Sequence, residues 1–308
     1  MNIWEKQRQQ YRQLNLGYYH LSTDGWKDGL LFHQTEQYAY GMTLMGLLTI
    51  RFELVIYDFT LMPNHLHILL KGTGETCLAA FDYFRRKLSA RLVADGYPSL
   101  PEDYGFKLTA IESREQMRTN YLYLARNPYE RNESVPGGYP WGAAYLHFAP
   151  LAAHLHGFRA DGMSKRKLEK LTGSRSPIPP AWEFHPQLGL LPACFIDSGM
   201  FKKLFLTPKD YQTHLVKDYE SFVKLGRRLE EDMSFSSEEI FDIVHSVCRD
   251  LYPGKRPASL SNDEKGQLCV LLQKKYALSP LQMADTLHIS EYLVRQLLAA
   301  KDYGRMRR

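Results

Sequence analysis

Cysteine is scarce in this chain of 308 residues. Cys77, Cys194, Cys248 and Cys269 are its four cysteines, far apart, with no CxxC pair and no zinc-ribbon spacing. That spacing argues against structural zinc and against a disulfide framework, and implies reduced thiols in a cytoplasmic protein. Long apolar runs are missing too, since no uninterrupted stretch approaches the ~20 residues that cross a bilayer. Residues 1–15 are rich in Gln, Arg and Lys and lack the apolar core of a signal peptide, so a soluble protein with no membrane partner is expected. Charge of one sign is not in large excess: 39 Lys and Arg against 34 Asp and Glu give a net +5. This mild balance permits a nucleic-acid partner without demanding one. What the chain has in quantity is apolar surface, 44% hydrophobic with 13% aromatic residues, which excludes disorder, and at this length two domains are the default expectation.

Against this background one segment stands out, Leu61-Met62-Pro63-Asn64-His65-Leu66-His67-Ile68-Leu69-Leu70. It reads as a buried strand, and side chains two apart on a strand share a face, so His65 and His67 point the same way. Two neutral imidazoles held on one rigid strand form half of a divalent metal site. His154-Leu155-His156 repeats the spacing, but it lies in an Ala-rich stretch with no helix of the right kind after it, and is read as non-catalytic.

About fifty-five residues on, the segment from Glu115 to Pro128 carries helical spacing and is expected to stop at its proline. Within it Tyr123 and Asn127 are four apart, hence on one helix face. A tyrosine hydroxyl can attack a phosphodiester, and the Asn127 amide oxygen can complete a metal site begun by the histidines. Asn127 can equally serve as the cap at the helix end.

The order of elements in the first half reads as strand (18–22), helix (34–48), strand (51–59), strand (65–70), helix (76–95), strand (104–111) and helix (114–127), the split pattern of a ferredoxin-like antiparallel sheet in an α+β fold. The helix expected over 76–95 carries Arg85, Arg86, Lys87 and Arg91 on its polar face. Arg85, Arg86 and Arg91 are candidates for holding a nucleic-acid backbone, as are Arg118 and Arg126 near the tyrosine; a solvated charged surface is the plain alternative for all five.

Taken together, Met62-Pro63-Asn64-His65-Leu66-His67, Tyr123-Leu124-Ala125-Arg126-Asn127-Pro128 and Tyr139-Pro140-Trp141 resemble the single-tyrosine HUH transposases, in particular the REP-associated tyrosine transposases, over roughly residues 15–145. The resemblance implies that Tyr123, rather than Tyr121 or Tyr129, is the nucleophile, because the family places it four residues before the Asn of Asn-Pro. It implies a Mg or Mn ion on His65, His67 and Asn127, a 5′-phosphotyrosine intermediate with a free 3′-hydroxyl, and a single-stranded DNA substrate cut beside a hairpin. Some relatives dimerise by exchanging tyrosine helices, whereas REP-associated ones resemble monomers.

The second half is read as a connector over residues 151–235, loop-rich with scattered helices, followed by a compact helical domain over 236–308. Within the latter, Ser279 to Ser290 followed by Tyr292, Val294 and Leu297 resembles a helix-turn-helix, with Ser290 capping the second helix. In that setting Glu291, Tyr292, Arg295 and Gln296 can reach bases of duplex DNA, and Lys301, Arg305, Arg307 and Arg308 can hold phosphates. The functional alternatives are therefore a DNA-binding regulator with an inactive first domain, acting through these helices, and a metal hydrolase with no covalent step.

Overall fold

The computed structural model describes residues 3–24, 29–130, 138–147, 155–231 and 235–306. The chain divides into two compact units, residues 1–215 and 216–308, so the stretch expected as a connector is shared between them.

The first unit is α+β. It opens with α1 (Ile3–Arg12), which the sequence reading did not anticipate, then β1 (Gly17–Ser22), α2 (Thr35–Phe52), β2 (Val55–Leu61), β3 (Leu66–Gly72), α3 (Gly74–Ala94), β4 (Lys107–Ile111) and α4 (Arg114–Glu130). The four strands form one antiparallel sheet in the order β2-β3-β1-β4. Alternation divides the strand residues cleanly. Tyr19 and Leu21 of β1 and Leu66, Ile68 and Leu70 of β3 join one core with Met42, Leu44 and Leu48 of α2 and Phe81, Phe84 and Leu88 of α3. The intervening His20, Ser22, Thr60 and His67 are buried on the other face, under α4.

Several boundaries differ from those read in the sequence: β3 starts at Leu66, just after His65, α3 already at Gly74, and β4 only at Lys107 instead of 104. Helix α2 runs on to Phe52 and stops at Glu53, whose φ is +52°, so β2 starts only at Val55 rather than at 51. The alternation of Phe52, Leu54 and Ile56 imitates a strand, but the last helical turn is already set by the unbroken buried run Gly41–Leu48 behind it. Helix α1 packs on α3 through the Arg8–Asp82 ion pair at 2.5 Å, and Gly74 is needed there because a Cβ would lie 1.8 Å from the Tyr11 carbonyl oxygen.

The difference at Pro128 matters most. Helix α4 does not end before Pro128 but carries it inside, running to Glu130. Proline has no N–H to give to the carbonyl four residues earlier, and that carbonyl, on Leu124, instead accepts from the Thr60 hydroxyl of β2 at 3.1 Å. Thr60 pairs directly with His67 across β2 and β3. The proline thus frees a carbonyl that ties the tyrosine helix to the histidine strands.

Described residues of the first unit from Tyr139 on add to this frame. Tyr139 donates from its hydroxyl to the Leu61 carbonyl at 2.7 Å, Trp141 stacks on Tyr38 with ring centres 4.9 Å apart, and the Leu61 N–H donates to the Trp141 carbonyl at 2.8 Å. A small sheet, β5 (Phe158–Arg159), β6 (Glu183–His185) and β7 (Gly189–Leu190), frames α5 (Lys165–Thr172) and covers the outer side of α2 with Trp182, Phe184 and Leu190. This second layer explains why α2 is apolar almost all round. Helix α6 (Gly199–Leu204) brings Phe201 against Tyr121 of α4, and α7 (Pro208–Lys217) follows.

The second unit is helical: α8 (Tyr219–Leu229), α9 (Ser237–Leu251), α10 (Asn262–Tyr276), α11 (Pro280–Leu287) and α12 (Glu291–Met306). Ser236, Ser261 and Ser279 each accept a hydrogen bond from the N–H three residues on, while a Glu or Gln there returns one, so three of the helices start in capping boxes. Met283, Ala284, Leu287, Val294 and Leu298 pack with Ile243, Val244 and Leu272 in its core. No helix among the described residues is long and apolar enough to cross a membrane.

Candidate active site

Register sets the first half of the site. Because Ser22 pairs with His67 and His20 with Leu69, His20 and His67 lie diagonally on one sheet face, and their ring centres are 5.1 Å apart. His65 sits just before β3, its ring centre 5.0 Å from that of His67. Helix α4 supplies the second half. Asn120, Tyr123 and Asn127 are spaced i, i+3, i+7 and form one stripe turned to the sheet, where Tyr123 stands edge-on to His67 and His20 at 5.7 and 6.1 Å.

The hydrogen bonds fix where the protons are. The Asn120 amide nitrogen donates to the Gln116 carbonyl at 2.7 Å, so its oxygen is the atom that faces His20 Nδ1, at 2.5 Å. An amide oxygen only accepts, so neutral His20 carries its hydrogen on Nδ1 and accepts at Nε2 from His67 Nδ1, 3.0 Å away. His67 is thereby left with an unprotonated Nε2. On the other side His65 stands between two amide oxygens, that of Asn64 at 2.8 Å from Nδ1 and that of Asn127 at 3.2 Å from Nε2, and its Nδ1–H tautomer, donating to Asn64, is the one that offers Nε2. Both of these nitrogens converge on one amide: Asn127 Nδ2 lies 3.2 Å from His67 Nε2, and Asn127 Oδ1 lies 3.2 Å from His65 Nε2.

In the Nδ1–H tautomer of His65 the last contact sets two acceptors face to face, an arrangement that a cation relieves. The spacing suits one: neighbouring ligands on an ion with bonds of about 2.1 Å stand about 3.0 Å apart. Among the described residues no group of three or more His, Cys, Asp or Glu side chains forms a metal cluster. A metal would therefore rest on two imidazoles and an amide oxygen, and hard ions that retain water and take substrate oxygens suit such a sparse set. Asn127 lies inside the helix, 6% exposed, and is not its cap.

The two tyrosines that compete for the nucleophile's place are parted by the helix. Tyr121 turns away from the histidines into a cluster with His147 and Phe201, its hydroxyl has no hydrogen-bond partner among the described residues, and burial with the nearby Asp58 carboxylate pushes its pKa far up. Tyr123, on the histidine side, is itself 2% exposed. The side chain of Tyr129 is outside the described residues.

The proposed nucleic-acid contacts scatter. Arg85 donates to the carbonyls of Pro101 and Glu102, and Arg91 is paired with Asp95 at 2.7 Å, while Arg86 is exposed. Their helix, α3, packs on the sheet face opposite the histidines. Arg118 is half-buried on α4, and Arg126 is turned inward, 1% exposed, donating to the Leu215 carbonyl at 2.9 Å rather than lying on the surface. In the second unit α11 and α12 are joined by His288, Ile289 and Ser290, Ser290 accepts from the Leu293 N–H, and Tyr292, Arg295 and Gln296 are exposed. Arg295 is held by Glu291 and Gln296 by the Tyr292 hydroxyl. The side chains of Lys301 and Arg305, and His154, Arg307 and Arg308 entirely, fall outside the described residues.

His20 and Asn120 were missed in the sequence. Each had a signal: His20 alternates with the apolar Tyr19 and Leu21 on a strand, and Asn120 completes the i, i+3, i+7 stripe. Comparison of the chain with protein-family models, with curated proteins and with solved structures finds no match.

Proposed function

We propose that this protein is a metal-dependent DNA nickase and strand-transferase of the single-tyrosine HUH kind, cutting single-stranded DNA beside a hairpin. The observation that carries it is the convergence of His65 Nε2, His67 Nε2 and the Asn127 amide at 3.2 Å, with Tyr123 against His67. The strand order β2-β3-β1-β4 with α2 and α3 on one face supports the ferredoxin-like arrangement that this reading requires.

A Mg or Mn ion held by His65, His67 and Asn127 would supply positive charge against a scissile phosphate. The chain's own groups do the rest. His20 and Asn120 hold His67 in the tautomer that offers Nε2, and Asn64 does the same for His65. The Tyr123 oxygen forms a bond to phosphorus while the bond to the 3′ oxygen breaks. The phenol's proton is balanced by the one gained at the 3′ oxygen, leaving a 5′-phosphotyrosine and a free 3′-hydroxyl. The link keeps the phosphodiester's energy, so a second 3′-hydroxyl can displace the tyrosine and join strands without ATP.

Cleavage of a doubly end-labelled, hairpin-bearing oligonucleotide tests this. The 3′ end released should be extendable by a polymerase and the 5′ end blocked by protein. Extendable 3′ ends with free 5′ phosphates would instead mean hydrolysis.

Burial of Tyr123 favours one second reading, a regulator that binds DNA through α11 and α12 while the first unit is silent. It predicts sequence-specific duplex binding with no cleavage under any metal.

A further inference from the structure

The side of the first unit formed by the C-terminal end of α2 and the outer face of α3 holds a cleft of about 690 Å³ that the histidine site does not use. Arg51, Tyr83, Arg86 and Lys87 form one wall and the segment 173–176, directly after α5, forms the other. Four cations, Arg51, Arg86, Lys87 and Arg175, therefore meet here, and among the described residues no carboxylate lines the cleft. Among the described residues none of the four has an ion-pair partner.

Three of the cations are held in place by neutral groups. The Arg51 guanidinium lies 4.9 Å from the centre of the buried Tyr83 ring, Lys87 Nζ donates to the Gly173 carbonyl at 2.6 Å, and Arg86 Nε donates to the Asp82 carbonyl. Gly173 closes α5 at φ +58°, which turns Ser174, Arg175 and Ser176 toward α3. Positioning like charges together without compensation raises the free energy of the empty protein, a cost that a bound polyanion removes.

We infer that this cleft is a binding site for the phosphate backbone of nucleic acid, completed by the 173–176 segment of the second half. The inference rests on the DNA-handling reading above and gives it a track outside the cutting site. Length favours a nucleic-acid backbone over a single small phosphate, because α5 leads into the cleft with Lys165, Arg166, Lys167 and Lys170 exposed, over a helix about 12 Å long. Hydroxyls beside guanidiniums, as with Ser174 and Ser176, are ordinary phosphate partners.

The test is fluorescence anisotropy of a hairpin-bearing single-stranded oligonucleotide over a salt series, with the full chain carrying Tyr123→Phe so that no covalent capture intervenes. Each backbone cation contributes about 0.7 to the slope of log affinity against log salt on single strands. Replacing Arg51, Arg86, Lys87 and Arg175 by Gln should lower that slope by about 2.8, equivalent to about fifty-fold of the affinity otherwise lost between 50 and 200 mM salt. Substituting Lys for the three arginines should keep the slope, and matching thermal melts should show that all variants fold. An unchanged slope in the Gln variant overturns the inference. So does displacement by polyglutamate at the charge concentration at which DNA displaces, which would give the cleft to an acidic protein. Failure here with covalent capture intact in the wild type removes the cleft alone; the reverse result removes the cutting reading alone.

Discussion

Replacing His20 by Leu removes the group that accepts the hydrogen of His67 Nδ1. The imidazole of His67 then has no partner on that side to hold its hydrogen on Nδ1, and Asn120 loses the donor to its oxygen at 2.5 Å. Loss of such an outer partner weakens metal binding by about 10–100-fold, or about 1.4–2.7 kcal/mol. His20→Gln keeps both functions, since an amide oxygen can accept from His67 while the amide nitrogen donates to Asn120. Titration with Mn followed by electron paramagnetic resonance reads free metal directly, without reference to DNA. Wild type and His20→Gln should bind with similar affinity and His20→Leu more weakly by that factor. Equal affinity in all three would refute the proton assignment along Asn120, His20 and His67. No binding in the wild type would refute the metal site itself.

Other consequences follow from neighbouring contacts. Thr60→Val should leave the Leu124 carbonyl, already deprived of a partner by Pro128, buried and unmatched, costing about 1–3 kcal/mol in urea unfolding; a change under ~0.3 kcal/mol would show that the carbonyl finds another donor. Asp58 is fully buried, with His147 Nε2 3.3 Å from its Oδ2 but off the line of a good hydrogen bond, and burial raises its pKa above the usual carboxylate value. Because the folded value is the higher one, its contribution to stability is complete below pH 3.8 and is lost as pH rises through the folded value. Asp58→Asn should therefore raise the melting temperature at pH 7 and lose that advantage toward pH 3.5, and a drop at pH 7 would show instead that the charged pair with His147 stabilises. In the second unit, Tyr292→Ala, 70% exposed in the wild type, should leave thermal stability unchanged while weakening any duplex binding measured by gel shift; a lower melting temperature would give the residue a packing role.

Much of this was legible because it rests on short-range rules. The strand setting of His67 follows from alternation, with His65 falling one residue before β3 and not on it, and the helical stripe that carries Tyr123 and Asn127 follows from a spacing of four. The run of elements in the first half likewise follows from local periodicity, so it survived shifts of a few residues at the ends. The boundary at Pro128 was misread because its cost is met from another element: the partner of the freed carbonyl is Thr60, sixty-four positions away. His20 was missed for a related reason, since only the antiparallel register of β1 on β3 brings it to His67. Arg126 has the sequence look of a surface cation, yet the carbonyl that receives its donor belongs to Leu215, eighty-nine residues on. The basic cleft was hidden in the same way, with Arg51 and Arg175 brought together only by the packing of α5 and the following segment on α2 and α3.

The most direct test of the central reading is peptide mapping of covalent protein–DNA adducts formed with Mn on hairpin-bearing single-stranded DNA. The nucleotide should be found on Tyr123, the adduct should vanish with Tyr123→Phe or EDTA, and Tyr121→Phe should retain it. An adduct on another residue, or cleavage that persists in Tyr123→Phe, would contradict it.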